Sequence, residues 1–504
     1  LAAPLLRAAL VTGTILSGAP IMSSTASAQE AQAADEDMGD DIVVTAQMRS
    51  QNLQDIPLAI TAVSGEMLEA RSQNSLGDIG AQTPNVLLQQ NPSGSGNSMR
   101  AFIRGVGQSD QSPSVEPGVG IYVDDIYFGT VTASAFDLVD LDRVEILRGP
   151  QGTLAGMNSQ GGAIRLYSRK PEGEGGYVEA TIGNLGRRDV KASADFTVVP
   201  DAVFARLTGV TRNRDGHVTL YNYACLNPND PDINQIAPRG IPRLTNSGDC
   251  KSGELGNQRM YAVRGSLRIA PQGSPLEINI IGDYTKDESN TQASTLIASA
   301  ESATKGAAAG YVNRSQISVP YQGVAYDDRF VPYGQYRRPN AVLNDPYASY
   351  ANFYDAGVTY RATGPGGGTA VPVGATNGAY IAANASQVEA WGVSGTIDYE
   401  LSPNLAIKSI TGYRKYKTLS GNDNDGSPVV FIQSTDWFSH KQFSQELRLS
   451  GNFVDNTVHF TVGGIYYDAS TRPLSRIHTP FSGFGPPDMP SFSFLNDDTA
   501  GLNV

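Results

Sequence analysis

The chain has 504 residues, of which 40% are hydrophobic, and its formal net charge is −13. Such an acidic chain is poorly suited to a phosphate backbone, so we expect no nucleic-acid partner. Beyond the amino terminus no run of 18 apolar residues occurs, which excludes helical membrane spans but not membrane-spanning strands, whose alternating pattern averages to a neutral hydropathy.

Residues 1–28 are predicted to be a secretory signal peptide. Arg7 supplies a positive charge, residues 8–21 are mostly apolar, and Ala26-Ser27-Ala28 offers a cleavage site. A short buried helix is the alternative, disfavoured by the cluster of small residues and by the acidic stretch that follows. Because the chain begins with Leu1, we expect either a fragment or a non-standard start.

Residues 29–48 are predicted to be a flexible segment, since residues 29–39 are rich in Ala, Gln and acidic side chains without periodicity. Within it lies a β-branched run that we name the box segment: Asp41, Ile42, Val43, Val44, Thr45 and Ala46. An exposed strand of this kind is suited to joining the sheet edge of another protein. The alternative is that it forms the first strand of the following domain.

Residues 49–172 are predicted to form a compact α+β module. Residues 59–63 form a predicted strand, after which Ser64 is placed as an N-cap before apolar residues at helical spacing. A glycine-rich stretch, "LRGPQGTLAGMNSQGGAI", follows a further predicted strand. It is not a phosphate-binding loop, because no Gly-Lys-Ser/Thr occurs at the required spacing. Its glycines instead suit tight turns and close backbone approach; the predicted turn glycines are Gly105, Gly149, Gly152, Gly161 and Gly162.

Residues 173–504 alternate apolar and polar side chains in long segments, as in "DVKASADFTV" and "WGVSGTIDYEL". The connections alternate too: some are tight, whereas those near 215–258 and 288–388 are long and polar. This combination is typical of a transmembrane antiparallel β-barrel with its apolar face toward lipid. A soluble β-sandwich also alternates, but does not usually have such long loops on one side only.

We count roughly ten strands after residue 172, whereas a barrel wide enough to enclose the preceding module needs about 22. "FLNDDTAGLNV" also lacks a final amphipathic strand. We therefore expect the sequence to be truncated at its carboxyl terminus, so that it holds only the amino-terminal part of the barrel.

Two further features concern cysteine and metal chemistry. Export into an oxidising compartment makes a Cys225–Cys250 disulfide plausible, with two unrelated thiols as the alternative. The four histidines are not at ligand spacing, and "GNDNDG" at 421–426 only imitates the start of a calcium loop, so we interpret it as a solvated loop. We expect no metal site and no cofactor.

Five stretches of the sequence resemble the motifs of the TonB-dependent outer-membrane receptors. In chain order they are "DIVVTA", "FIRGVG", "GVGIYVDDIY", "LDRVEILRGPQGTL" and "NSQGGAIRLYSRKP". The resemblance implies a plug domain inside the barrel lumen and a TonB box at the box segment. It also implies that Arg104 and Arg148 seat the plug by pairing with glutamates of the barrel wall, for which Glu446 is a candidate.

The function implied by the resemblance is active uptake into a Gram-negative cell, without a catalytic site. The implied partners are TonB with its inner-membrane energising complex, a small-molecule or chelate substrate, and outer-membrane lipid. An iron–siderophore chelate is the favoured cargo, with a carbohydrate, cobalamin or an aromatic carbon source as alternatives. Tyrosines of the long loops ("VPYGQYRRPN", "DPYASYANFYD") either stack on the substrate or serve loop packing and the lipid interface.

Two rival classes remain less favoured on the sequence. A passive porin-like channel needs neither the plug motifs nor the box segment. A secreted enzyme or carbohydrate-binding β protein needs a constellation of acids or a Ser/His/Asp set at a defensible spacing, and we find none.

Overall fold

The computed structural model describes a large part of the chain between residues 43 and 503. The described residues are 43–45, 51–73, 75–90, 98–109, 115–130, 140–152, 159–231, 233, 241, 248–297, 328–333, 343–353, 362–363, 369–370, 382–428, 433–453, 457–479, 492–497 and 502–503. The predicted signal peptide and cleavage site therefore lie outside the described residues.

The plug module (residues 51–168) contains short strands and two short α-helices. Together with the strand before it, its strands are β1 (Val43–Val44), β2 (Gln51–Asn52), β3 (Ile60–Ser64), β4 (Val86–Gln90), β5 (Met99–Ile103), β6 (Val106–Gln108), β7 (Val119–Val123), β8 (Ile126–Phe128), β9 (Leu141–Arg148) and β10 (Gly162–Ser168). Its α-helices are α1 (Gly65–Ala70) and α2 (Leu76–Gly80), and a 3₁₀ turn covers Leu53–Asp55.

Two sheets build the plug module. Five strands follow the order β3-β9-β10-β7-β8, in which β7 and β10 are parallel, and β4-β5-β6 form a second, antiparallel sheet. One apolar cluster, which includes Leu76, Ile103, Val144 and Ile164, lies between the sheets and the helices. The predicted N-cap is present, since the Ser64 hydroxyl accepts the backbone N–H of Met67. The expected α+β character is therefore confirmed.

Gly162 lies at a close backbone contact in this module, which substitution by alanine can test. Its φ is +149°, and a Cβ built there would overlap the carbonyl oxygen of Leu147. Gly152, by contrast, has nothing within 4 Å of such a Cβ. We expect Gly162→Ala to destabilise the plug module by about 1–3 kcal/mol, and Gly152→Ala to change its stability by less than about 0.5 kcal/mol.

Urea titration of the full chain, followed by hydrogen exchange of the β9 and β10 amides, measures both glycine variants. Equal losses of protection would contradict the assignment of Gly162 to a crowded backbone contact. Of the other turn glycines, Gly105 and Gly149 have φ of +79° and +107°, and a Cβ at Gly161 would approach the carbonyl oxygen of Val106.

The rest of the described chain is dominated by long strands. They are β11 (Gly176–Ile182), β12 (Arg188–Val199), β13 (Val203–Arg214), β14 (Val218–Tyr221), β15 (Lys251–Leu255), β16 (Gln258–Ile269), β17 (Leu276–Ser289), β18 (Ala348–Ser349), β19 (Ala362–Thr363), β20 (Thr369–Ala370), β21 (Ser386–Ser402), β22 (Leu405–Asp423), β23 (Gln433–Phe453), β24 (Val458–Thr479), β25 (Phe492–Asp497) and β26 (Leu502–Asn503). Helix α3 covers Tyr223–Leu226, and a 3₁₀ turn covers Asp328–Phe330.

One antiparallel sheet, which we name the wall sheet, contains the long strands in the order β11-β12-β13-β16-β17-β21-β22-β23-β24-β25, with β26 beside β24. The order follows the chain, as expected for strands joined by hairpins. The predicted set of roughly ten strands is confirmed as this sheet. No helix among the described residues is long and apolar enough to cross a membrane.

The two faces of the wall sheet reverse the pattern of a soluble protein. In β12, Phe196 and Val198 are exposed while Ser193 and Asp195 are buried; in β21, Val393 and Ile397 are likewise exposed. Strand-length stretches of apolar side chains on the outer face have no counterpart in a water-facing sheet, whereas they suit a lipid-facing one. The predicted direction of the alternation is therefore confirmed.

Described parts of the long connections pack against one another. Cys225 and Cys250 form a disulfide. Tyr223 packs edge-on against Phe330 and Tyr350, with ring centroids 5.2 Å and 5.1 Å apart. Of the predicted substrate-stacking tyrosines, Tyr350 is thus buried in loop packing, while Tyr347 is exposed.

The interpretation of 421–426 as a solvated loop is wrong. Asp423 and Asp425 are buried, and the Asp423 carboxylate accepts the backbone N–H groups of Asn352, Asp425 and Gly426 at 2.6, 3.1 and 3.0 Å. The residue pattern alone could not reveal this, because the donor Asn352 comes from a distant loop. These carboxylates therefore fasten one connection to another.

Candidate functional site

The end of the box segment is docked on the plug module. Val43 and Val44 pair antiparallel with Asn52 and Gln51, and the side chain of Val44 is fully buried in an apolar cluster with Leu147 and Ala163. The expectation of an exposed strand is therefore wrong for Val44, because the plug module itself supplies the apolar surface and the paired strand. Asp41, Ile42 and Ala46 lie outside the described residues.

Thr45 is held by all three of its polar groups. Its backbone N–H donates to the Glu145 carboxylate at 3.0 Å, its hydroxyl donates to the Tyr167 oxygen at 2.7 Å, and its carbonyl accepts from Arg165 at 3.3 Å. Glu145 is completely buried and pairs with Arg143 at 2.8 Å. Charged hydrogen bonds at buried positions are stronger than neutral ones, so this docking is specific.

A chain of polar contacts leads from Thr45 to the wall sheet. The Tyr167 hydroxyl donates to Asp125 at 3.3 Å, and Asp125 pairs with Arg448 of β23 at 3.3 Å and with Lys408 of β22 at 3.6 Å. Burial and the Asp125 charge raise the pKa of Tyr167, so its hydroxyl stays protonated and can donate. The box segment is thereby connected to two wall strands through two plug residues.

The pKa values of two adjacent aspartates move in opposite directions. Burial acts against the charged form of Asp125, but Arg448 and Lys408 outweigh it and lower its pKa to about 2. Burial dominates at Asp124 and raises its pKa against the opposing charge of Arg264. Since the folded pKa of Asp125 is depressed, its stabilising contribution is present above about pH 4 and is lost as the pH falls through about 2.

Infrared titration of the carboxyl band measures both groups, with Asp125→Asn and Asp124→Asn identifying the bands by difference. We expect the Asp125 band to appear with a midpoint of about 2, and the Asp124 band to appear at a higher pH than that of an ordinary aspartate. An Asp125 midpoint at or above that of Asp124 would contradict the pairing with Arg448 and Lys408.

The two arginines predicted to seat the plug, Arg104 and Arg148, do not contact the wall glutamate predicted as their partner. Arg104 is exposed with φ of +53°, and Arg148 donates to the Pro84 carbonyl at 3.4 Å. Within the described part of the chain, neither lies within ion-pair distance of a carboxylate. Glu446 contacts neither; it pairs instead with Arg448 on its own strand. The pairing of Glu446 with Arg104 or Arg148 is therefore wrong for this structure.

Two of the observed ion pairs between the plug module and the wall sheet have the opposite polarity, whereas Lys170, just after β10, pairs with Glu277 of the wall at 2.5 Å in the predicted sense. Aspartates lie on the plug side, at Asp125 and at Asp140, and arginines lie on the wall side, at Arg448 and Arg206. Asp125 was not predicted as a plug–wall contact, because the motif "GVGIYVDDIY" indicated only short strands. The sequence feature that could have identified it is the pair of acids between two apolar strands, which suits a turn that meets a cationic surface.

A gap of about 840 Å³ lies between the plug module and the wall sheet beside Asp125. Its lining includes both signs of charge, among them Arg268, Glu277 and Lys408, together with hydroxyls such as that of Thr396. Among the described residues no group of three or more His, Cys, Asp or Glu side chains could hold a metal ion. The described residues thus place the box segment, held by polar contacts, beside a gap of mixed charge.

Comparison with known proteins agrees with this geometry. Residues 52–163 match the TonB-dependent Receptor Plug Domain family. The pesticin receptor of Yersinia pestis is 29% identical over 197 residues, which is 39% of this chain and 25% of that protein. The ferrioxamine B receptor of Salmonella typhimurium is 29% identical over 194 residues, 36% of this chain and 26% of that protein.

Solved structures show the same fold. The ferric yersiniabactin uptake receptor FyuA from Yersinia pestis superposes with a TM-score of 0.53 at 16% identity, covering 84% of this chain and 50% of that one. The pyoverdine receptor FpvA from Pseudomonas aeruginosa gives 0.53 at 14%, covering 89% and 52%.

The chain thus spans about a quarter of these curated relatives and about half of these solved structures. The plug family match, the named relatives and the plug-and-wall architecture point in one direction. Residues 52–163 thus match the plug domain of TonB-dependent receptors, and the chain shares its fold with the two solved receptors.

Proposed function

We propose that the chain is a TonB-dependent transporter of the outer membrane that takes up a scarce solute with energy delivered through the box segment. The observation that carries the proposal is the docking of Thr45 on Glu145, Arg165 and Tyr167. A β-branched segment held by one two-residue strand pair, one buried side chain and a few polar contacts can leave the plug and pair with a partner's sheet edge. We propose further that this occurs after signal-peptide cleavage near Ala28, with TonB as the partner.

The contacts account for how a pull on the box segment reaches the wall. Force on Thr45 acts first on the Tyr167 hydroxyl and the Glu145 carboxylate. Tyr167 is bonded to Asp125, whose own partners lie on β22 and β23. Loss of the Thr45 contacts therefore weakens the support of the nearest plug–wall ion pair, since the three groups share hydrogen bonds.

The cargo class is proposed from the relatives. Two of them are named for ferrioxamine B and ferric yersiniabactin, which supports an iron–siderophore chelate. A vitamin B12 transporter, 29% identical over 155 residues, keeps cobalamin as the alternative; a carbohydrate or an aromatic carbon source uses the same mechanism. Such cargo would bind without bond cleavage, so no residue is assigned a catalytic role.

Deletion of residues 41–46 tests the mechanism. We expect energised uptake to be lost while substrate binding at the cell surface persists, because the box segment is remote from the long loops. Deletion of the six residues 32–37, in the preceding acidic tract, is the matched control and should leave uptake intact. Uptake that survives loss of the box segment would identify a passive channel instead.

Protein abundance in outer-membrane fractions tests the cargo. Induction by iron withdrawal alone would support a chelate receptor. Induction by one sugar or aromatic carbon source, with indifference to iron, would overturn the iron chelate and name the cargo class.

A further inference from the structure

Three adjacent strands of the wall sheet place cations and hydroxyls together on one face. The register of β22, β23 and β24 arranges these side chains in two rows, each with one residue from every strand. We name the two rows the cation grid. From β22 to β24, the first row is Lys415, Lys441 and Ser470, and the second row, nearer the long connections, is Lys417, Ser439 and Arg472.

Contacts of the intervening residues show that the cation grid faces away from the plug module. Arg414 of β22 lies over the ring of Phe128 in the plug module. Gln442 of β23 donates to the Tyr127 carbonyl at 2.6 Å, and the ring of Tyr467 of β24 contacts the Tyr127 ring. Because side chains alternate along a strand, the members of the grid point to the outer face.

The four cations of the grid have no ion-pair partner in the part of the chain that the structure describes. Lys415 and Lys441 are direct cross-strand neighbours, and like charges in that position destabilise a sheet. Two acids, Glu389 and Asp468, border the grid without forming an ion pair with it. The grid therefore presents positive charge that these described residues leave without a counterion.

The height of the grid on the wall sheet follows from the neighbouring strand. On β21 the outer face is apolar, aromatic or glycine from Trp391 to Leu401. These ten steps along the strand span about 34 Å, or about 26 Å along the membrane normal at a tilt of roughly 40°, which is the height of a barrel's apolar band. Trp391 lies opposite Lys415, so the grid lies at the headgroup level on the side of the long connections.

We propose that the cation grid binds a phosphate group of a lipid in the leaflet on the side of the long connections. The inference rests on the outer-membrane location in the proposed function. Lysine and arginine bind phosphate through charge-assisted hydrogen bonds, and the hydroxyls of Ser439 and Ser470 add neutral donors. A phosphate between Lys415 and Lys441 offsets the repulsion between them.

The dimensions and surroundings of the grid favour a lipid over a soluble anion. Strand spacing and rise give it about 10 Å by 7 Å, enough for one or two phosphate groups. Apolar or aromatic side chains flank it on both sides, Tyr413 and Phe443 toward the tight turns and Leu419 and Trp437 toward the long connections. The acyl chains of a bound lipid would lie along the apolar face, whereas a soluble phosphate gains only charged contacts, which salt screens.

Tryptophan fluorescence tests the site, because both tryptophans of the chain adjoin the grid. Trp391 lies opposite Lys415, and Trp437 lies two residues from Ser439 on the same face. The full chain is placed in phosphatidylcholine nanodiscs with a small fraction of phosphatidic acid that has bromine, a short-range quencher, on its acyl chain. Brominated phosphatidylcholine at the same fraction measures random contact. We expect brominated phosphatidic acid to quench several-fold more strongly.

Substitution of the opposed lysines tests the residues assigned. In Lys415→Gln with Lys441→Gln, the fraction of phosphatidic acid at half-maximal quenching should rise roughly 30-fold, since each cation contributes a factor of roughly five. Lys286→Gln is the matched control. Lys286 lies on the outer face of β17 opposite Glu389, but it already pairs with Glu288 at 2.6 Å. Its loss should change the same fraction by less than about two-fold.

Equal quenching by the two brominated lipids would overturn the proposal, as would a double variant that keeps the preference for phosphatidic acid. Release of the brominated lipid by millimolar inorganic phosphate would identify a soluble anion as the ligand and overturn the lipid. A chain that does not enter the nanodiscs would overturn the proposed membrane location as well, whereas insertion without a lipid preference overturns the grid alone. If the double variant fails to fold, the two lipids compared on the unmodified chain still decide.

Discussion

Replacing Arg206 with alanine is expected to destabilise the seating of the plug module on the wall by about 3–5 kcal/mol, the range found when one partner of a buried ion pair is removed. The side chains of Asp140 and Asp195 are only 4% and 2% exposed. Without Arg206, neither carboxylate could be hydrated in place. The measurement is the urea midpoint for exchange of the β9 amides in the full receptor.

Arg268→Ala is the matched control, because Arg268 also lies on the wall sheet but pairs with Glu277 where both side chains are about a quarter exposed. Its loss should cost at most about 1 kcal/mol. Adding Asp140→Asn to Arg206→Ala should recover part of the larger loss, since one uncompensated charge is removed. Similar effects of the two arginine substitutions would show that the buried Arg206 pairs with Asp140 and Asp195 do not seat the plug module.

Replacing Glu145 with alanine is expected to release the box segment. The substitution removes the charged acceptor of the Thr45 N–H, a bond worth about 1.5–3 kcal/mol, so the undocked population and the apparent affinity for TonB should rise by roughly 10- to 100-fold. Spin-label mobility at Gln47→Cys and titration with the carboxy-terminal domain of TonB measure the two quantities.

Asp142→Ala is the control for this change. Asp142 pairs with the same Arg143 at 2.7 Å, but its side chain is half exposed and does not contact Thr45. Glu145→Gln, which keeps size and one acceptor oxygen, should lie between the two. Equal label mobility in Glu145→Ala and Asp142→Ala would show that Glu145 does not hold the box segment.

The Glu145–Thr45 contact and the Arg206–Asp140 contact have different roles. Under the proposed function, the Glu145 contact must break for TonB to engage the box segment. The Arg206 contact instead holds the plug module on the wall sheet. Weakening the first should favour TonB binding, whereas weakening the second should loosen the plug without freeing Thr45.

Much of the architecture could be predicted from the sequence. Period-two alternation, as at Val393 and Ile397 of β21, identified the lipid-facing side because side chains on a strand point alternately to opposite faces. The alternation of short and long connections predicted antiparallel wall strands, and the glycine-bearing motifs predicted the plug module. These features depend on residues close together in the chain, so local patterns suffice to read them.

The contacts between distant segments could not be read in this way. The sequence favoured an exposed strand at Val43–Val44 and kept a strand of the following domain as the alternative; it could not decide, because an exposed strand and a docked one have the same composition. The polarity of the plug–wall pairs was assigned wrongly, since Asp125 meets Arg448 across 323 positions of sequence and neither residue's neighbours indicate the other. The sequence by itself determined the strands and their inward and outward faces. Which acid meets which arginine was decided only by the tertiary structure, because an ion pair depends on distances that close when the chain folds.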